Sequence, residues 1–348
     1  MEKENLYVMS DEEYEKLNQY LNEVFNFLSE EDNFLIENIW PILLMNAQFL
    51  SLMGDYNLSN ETKTNKLTYE QVFSLAREII ASIDSGYLEE FDKLLDSGKL
   101  EFNYEDESDS YNDNGLINIG RNFNYIDVVR LVHEFIHLTN ASSKETQNRH
   151  LLTEFLSIYF EMYAIDYLLK RGVSKEEIGV FERLLMSWVS SEMLSEISIV
   201  FLAFEKFGDI HKNTFSDLNK YFLSIPRLEF VRECKLLLLD FLNMENDYRN
   251  EIIFEKQFDM QEFISGLRFH SDYRYVLGTI LAFYARSFCK LEDIVFLNNH
   301  INDANIGNTN IKDALKRIGI DITNPEFIGK AFQSIDSYIE EYSDEKQR

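Results

Sequence analysis

The chain has 348 residues, 45% apolar and 14% aromatic, with 3 prolines and 13 glycines. That is enough apolar material for a large buried core, and the composition is neither disordered nor collagen-like. The 61 acidic residues against 33 basic ones leave a formal charge of −28, which argues against nucleic acid and disfavours anionic membranes as partners. No basic segment followed by an apolar run opens the chain, and no run of about 18 uncharged apolar residues occurs, so the expectation is a soluble, cytoplasmic protein that does not span a membrane.

Helical patterns follow one another with few interruptions, which predicts a mainly α protein with one elongated helical body. Ser10 with Glu13 reads as a capping box that opens the first helix, and residues 1–64 form a candidate helical accessory part. Thr68 with Gln71 is a second capping box and opens the main body, residues 65–348. Two short strand-like runs come next, KLEFNY at 99–104 and GLINIG at 115–120. They flank the acidic loop EDESDSYNDN, and together the three predict a small β-hairpin just before the following helix. The loop's charge run suits a solvated tip, and its spacing does not fit an EF-hand. Residues 116–119 are a candidate strand for pairing with an extended peptide.

The stretch DVVRLVHEFIHLT, residues 127–139, is an apolar helix pattern carrying HEFIH at 133–137. Asn124, followed by Asp127 at the third position, supplies its N-terminal signal. At about 100° per residue, His133 and His137 stand roughly 40° apart on one face, so both imidazoles aim at one point, as two ligands of a tetrahedral zinc do. Glu134 lies about 100° round from His133, off the ligand line but within reach of a water at the metal. The alternative is a helix that buries two satisfied histidines. With 6 histidines in 348 residues and glutamate near a tenth, the pattern should arise about 0.01 times by chance, so spacing favours zinc.

A catalytic zinc commonly takes three protein ligands, and the next helix offers the third. HLLTEFLSIYFEMYAIDYLLKRG, residues 150–172, is helical in period and ends in Arg171 and Gly172 as a C-terminus should. It presents His150, Glu154 and Glu161 along nearly one face. Glu154 is the candidate ligand, because apolar flanks make an unpaired carboxylate costly there. Glu161, two turns on, is placed to orient a ligating histidine, and His150 is a competing ligand. Ser174 with Glu177 caps a further helix, and Cys234 and Cys289 read as ordinary thiols of a reducing compartment.

The order of these features resembles the oligoendopeptidase F and thimet oligopeptidase family of zinc peptidases. The carrying stretches are GLINIGRNFNYIDVVRLVHEFIHLT at 115–139 and LTEFLSIYFEMYAIDYLL at 152–169, whose two glutamates stand seven residues apart. FHSDYRYVLGTILA at 269–282 carries a YxYxxG-like pattern, and residues 306–335 are similar to the family's C-terminal segment. The resemblance covers roughly residues 65–341. It implies a helical zincin-type body, peptidase activity on oligopeptides and one zinc per chain held by His133, His137 and Glu154. It further implies Glu134 as general base, and His270, Tyr273 and Tyr275 as donors to the developing oxyanion. The chain departs from the family at several points: Ile136 stands where a glycine is common, the interval from His137 to Glu154 is short, no GAYS-like element precedes the strand, and the N-terminal part is abbreviated. Two other readings stay open at this point: a noncatalytic peptide-binding module that retains a zinc site, and a protease dedicated to one protein target.

Overall fold

In the computed structural model the described residues are 31, 34–35, 38–56, 58, 66–102, 111–113, 116–140, 150–191, 194, 272–301 and 310–343. Ser10, Glu13, Cys234 and His270 lie outside them. The chain divides into two compact units, Met1–Ala47 with Leu194–Ser271, and Gln48–Met193 with Asp272–Arg348. In the first, Phe34, Leu35, Ile42 and Met45 are buried, and Asn38 Nδ2 donates to the Phe34 carbonyl at 2.7 Å. Helix α1, Ile39–Gly54, runs through the boundary residues.

The second unit is mainly helical. Helix α2, Tyr69–Ile83, starts at the predicted box: Gln71 N donates to Thr68 Oγ1 at 3.3 Å, and Thr68 N donates to the Gln71 side chain at 2.7 Å. Its buried positions Val72, Phe73, Ala76, Ile79, Ile80 and Ile83 recur at helical spacing. Asp84 ends that helix and caps α3, Ser85–Asp96, accepting from Gly86 N at 2.7 Å.

Three short strands follow: β1, Leu100–Phe102, β2, Tyr111–Asp113, and β3, Leu116–Ile119, in the order β1-β3-β2. The hairpin expected between 99–104 and 115–120 does not form. β1 pairs with β3 in parallel, Leu100 opposite Ile117, while β3's antiparallel partner is β2, from within the acidic stretch. The polar triplet Tyr-Asn-Asp carries no apolar alternation, so nothing in its composition marks it as a strand. Because β3 is paired on both sides, residues 116–119 offer no free edge to a peptide; the outer edges belong to β1 and β2.

β3 leads into helix α4, Tyr125–Asn140, through a fixed turn. Phe123 adopts φ 52°, a left-handed conformation uncommon for a bulky residue. The Asp127 carboxylate accepts from Phe123 N at 2.6 Å and from Asn122 Nδ2 at 3.3 Å, and Asn124 Oδ1 accepts from Asp127 N at 3.1 Å. The turn that sets the direction of α4 is thus held by side chains from its own first residues.

Helix α5, His150–Lys170, packs against α4 and against α8, Asp272–Phe288. Glu154 through Met162 are all buried, and nine residues make two and a half turns, so every face of α5 is covered there. It ends at Gly172, φ 85°: Val173 N donates to Leu168 O and Gly172 N to Leu169 O, a Schellman closure that a residue with a Cβ would strain. Short helix α6, Lys175–Ile178, carries the Ser174–Glu177 box as expected, and α7 covers 182–191. Two further helices, α9 (Leu291–His300) and α10 (Ile311–Arg317), lead to α11, Pro325–Tyr342. α11 packs on α8, with Ser334 Oγ donating to Phe283 O at 2.8 Å. Among the described residues no helix is long and apolar enough to cross a membrane.

Candidate metal centre

His133 and His137, one turn apart on α4, bring their Nε2 atoms to within 3.0 Å of each other. Glu154, in the first turns of α5, closes the triangle: its Oε1 lies 3.6 Å from His133 Nε2 and its Oε2 lies 3.3 Å from His137 Nε2. These separations can be compared with what a metal needs. At zinc-ligand distances of about 2.0–2.1 Å, the edges of a tetrahedron are about 3.3 Å, and the observed sides bracket that value. Two nitrogens and one oxygen form a donor set suited to zinc. Glu154 Oε1 is buried without a hydrogen-bond donor, a costly state for a carboxylate oxygen that a cation at the centre would relieve. His133, His137 and Glu154 are therefore positioned to hold a metal ion.

The neighbours fix how the ligands present themselves. His133 Nδ1 lies 3.0 Å from Glu161 Oε2. A carboxylate only accepts, so Nδ1 carries the proton and Nε2 turns its lone pair toward His137 and Glu154. Glu161 stands seven residues after Glu154, two turns along α5, behind the imidazole. Burial pushes its carboxyl up, but the Arg183 guanidinium and His133 outweigh this and hold it at about 2. Burial likewise opposes ionisation of Glu154, yet His137 and His133 keep its carboxyl at about 2. His137 is half-buried, and although burial disfavours its charge, Glu154 shifts it upward. Glu134, also half-buried, is raised by burial against the pull of the two imidazoles.

Arg183 was not singled out by the sequence reading. Its Nε lies 3.0 Å from each Glu161 oxygen, and its Nη2 donates to Oε2. Sequence offered only a weak signal: Arg183 follows Glu182 between the apolar pairs Val180-Phe181 and Leu184-Leu185, where a buried charge must be paired or costly. Its partner, 22 residues earlier, has no local signature.

The three oxyanion candidates separate. His270 lies outside the described residues. Tyr275, half-buried on α8, has its phenol raised first by the Glu154 carboxylate and then by burial, with Glu134 adding to both, so it sits in the field of the centre. Tyr273 is buried, stands about 200° away from Tyr275 around the helix, and has the Arg274 guanidinium 5.8 Å from its ring centroid. Gly278, three residues after Tyr275, rests on α5: a Cβ there would stand 3.2 Å from Ile158 Cδ1, 3.4 Å from Phe155 N and 3.6 Å from Glu154 Cγ. The face of α8 bearing Tyr275 and Gly278 therefore meets the turn of α5 bearing Glu154. His150, exposed at the start of α5, is not part of the converging group.

No protein-family profile matches the chain, and no curated protein matches it. Among solved structures it is similar to a provisionally assigned peptidase from Chlamydophila abortus, at 21% identity and a TM-score of 0.48. The match covers 89% of this chain and 55% of that one, so the chain spans about half the length of that structure.

Cys289 has a free thiol, raised to about 11 by burial and then by the nearby Asp293, and it donates to Ile318 O at 3.2 Å. It takes no part in the centre.

Proposed function

We propose that the protein is a zinc metallopeptidase that hydrolyses peptide bonds in oligopeptides. The observation that carries this reading is the triangle of His133, His137 and Glu154, with sides of 3.0–3.6 Å and Glu134 beside it on α4. His133, His137 and Glu154 would hold the metal. When bound, zinc supplies Lewis acidity that polarises a carbonyl and makes a water easier to deprotonate near neutral pH.

The chain's own residues divide the remaining work. Glu134 takes the proton from the attacking water and returns it to the leaving amine, and its burial favours a carboxylate basic enough for both steps. Glu161 holds His133 in the productive tautomer. Tyr275 donates a hydrogen bond from its phenol O–H to the carbonyl oxygen as negative charge develops there, keeping its proton, with His270 and Tyr273 as further candidates from the family resemblance. The catalytic part is taken as residues 65–348, with 1–64 accessory to it.

The test is Glu134→Gln, compared with wild type at equal zinc content on a mixed peptide library followed by mass spectrometry. The variant should keep about one zinc per chain and its fold while losing hydrolysis by roughly 10² or more. A wild type that cleaves nothing, yet binds peptides as well as Glu134→Gln does, would replace the enzyme with a binding module. Cleavage confined to one folded protein would replace the oligopeptidase with a dedicated protease.

A further inference from the structure

We propose that Arg183 is a positioning residue for the metal centre: it pins the Glu161 carboxylate at an angle that keeps His133 Nε2 facing the metal. This rests on the reading of His133, His137 and Glu154 as ligands.

Arg183 and Glu161 are 8% and 5% exposed, a buried pair supplied by different helices, α7 and α5. The guanidinium approaches both oxygens, with Nε 3.0 Å from each and Nη2 on Oε2, so it fixes the rotation of the carboxylate as well as its place. The same Oε2 lies 3.0 Å from His133 Nδ1, and Arg183 Nη2 stands 3.5 Å from that nitrogen. Three donor nitrogens from two residues therefore share one oxygen, and the imidazole is aimed by whatever aims Glu161. The preceding residue reinforces the grip, since Glu182 pairs with Arg130 of α4, three residues before His133. α7 thus holds the ligand helix α4 directly and, through Glu161, the ring of His133.

Two considerations distinguish positioning from simple stabilisation. A buried ion pair is often no more stabilising than well-packed apolar residues in its place, so stability gives little reason for one here. An uncompensated guanidinium would also oppose a cation nearby, but the Glu161 carboxylate contacts it through both oxygens and supplies one compensating negative charge. What remains is orientation of a ligand by its outer partner, an effect commonly worth 10–100-fold in metal affinity.

The experiment uses the full chain, stripped of metal and titrated with zinc against a competing chromogenic chelator, with circular dichroism and thermal unfolding of each metal-free variant alongside. Arg183→Met and Glu161→Gln should each weaken zinc by about 10–100-fold. The double variant should be no more than about threefold weaker than the weaker single one, because both changes remove the same constraint. Arg183→Lys keeps the charge but not the two-point hold and should fall between wild type and Arg183→Met. Should Arg183→Met not fold, the lysine variant decides, and it must weaken zinc several-fold. A folded Arg183→Met or Arg183→Lys with wild-type zinc affinity, or effects that multiply in the double variant, overturns the inference and leaves only a structural ion pair. Wild-type protein that takes up no zinc overturns the metal reading and this inference with it.

Discussion

Helices α4 and α5 supply the centre in opposite ways. α4 is one-sided: Val128, Leu131, Val132 and Phe135 enter the core while Arg130, Glu134 and His137 reach its margin. A helix with a partly wet margin can carry Glu134 and His137 there at little cost, so for these two composition says nothing and only the spacing of HEFIH speaks. α5 is buried on all sides from Glu154 to Met162. A carboxylate there must have a partner, and each of its two has one: Glu154 faces the imidazoles and Glu161 faces Arg183. On a helix with a half-buried margin function is read from pattern, whereas on one covered on all sides it is read from what burial forbids.

The largest expected effects would break this comparison if they failed. His133→Ala on α4 and Glu154→Ala on α5 should both abolish stoichiometric zinc by elemental analysis, with the fold retained by circular dichroism. Zinc content unchanged in both would remove the centre. Next in size is the packing of α4 against α3. Phe135 of α4 is fully buried, 5.4 Å from the Phe91 ring, and Phe135→Ala should cost about 3–5 kcal/mol in urea unfolding.

Gly278→Ala sharpens the comparison at the second face of α5. The added methyl would stand 3.2 Å from Ile158 Cδ1, a side-chain tip that must give by a few tenths of an ångström, while Phe155 N at 3.4 Å is in ordinary contact. The strain should be largely offset by the gain in helix propensity, so stability should change by less than about 1 kcal/mol, while kcat should fall more than KM rises if the Tyr275 face moves against Glu154.

Asp127, fully buried at the start of α4, is raised to about 6, chiefly by burial, against the pull of its Asn122 and Phe123 donors. A carboxyl raised in the folded state binds more protons there than in the unfolded chain. Its contribution is therefore fully present below about pH 4 and lost as pH rises through about 6, a slope worth on the order of 1–3 kcal/mol. Denaturant titrations from pH 4 to 7 should show this slope in wild type and not in Asp127→Asn. The smallest effect belongs to the exposed counterpart of Arg183–Glu161: Arg77 and Asp92 are bidentate at 2.7 and 2.8 Å but lie in solvent, so Arg77→Ala should leave the urea unfolding midpoint nearly unchanged.

Much of this was legible in advance, for reasons that differ by element. The mainly α class, the boxes at Thr68 and Ser174, the glycine that ends α5 and the convergence of His133, His137 and Glu154 all follow from local spacing or local cost. The sheet was misread because parallel pairing of β1 with β3 depends on where the chain returns, and because β2 has no apolar signature. Arg183 was missed because its partner lies on another helix. Tyr275 and Tyr273 were inseparable as letters in a motif; they part only once α8 has a face toward Glu154.

The interior position of β3 sets a ceiling on how tightly this sheet could grip an extended chain. Its outer strands are three residues long, so a guest segment finds only about two outward backbone partners on either side. At a net 0.5–1.5 kcal/mol per hydrogen bond, that is roughly 1–3 kcal/mol, short of the 4.1 kcal/mol that corresponds to a millimolar Kd. Under the proposed peptidase reading, capture would then be dominated by side-chain pockets and the metal, and selectivity should follow the residues flanking the cut more than the length of peptide available for pairing.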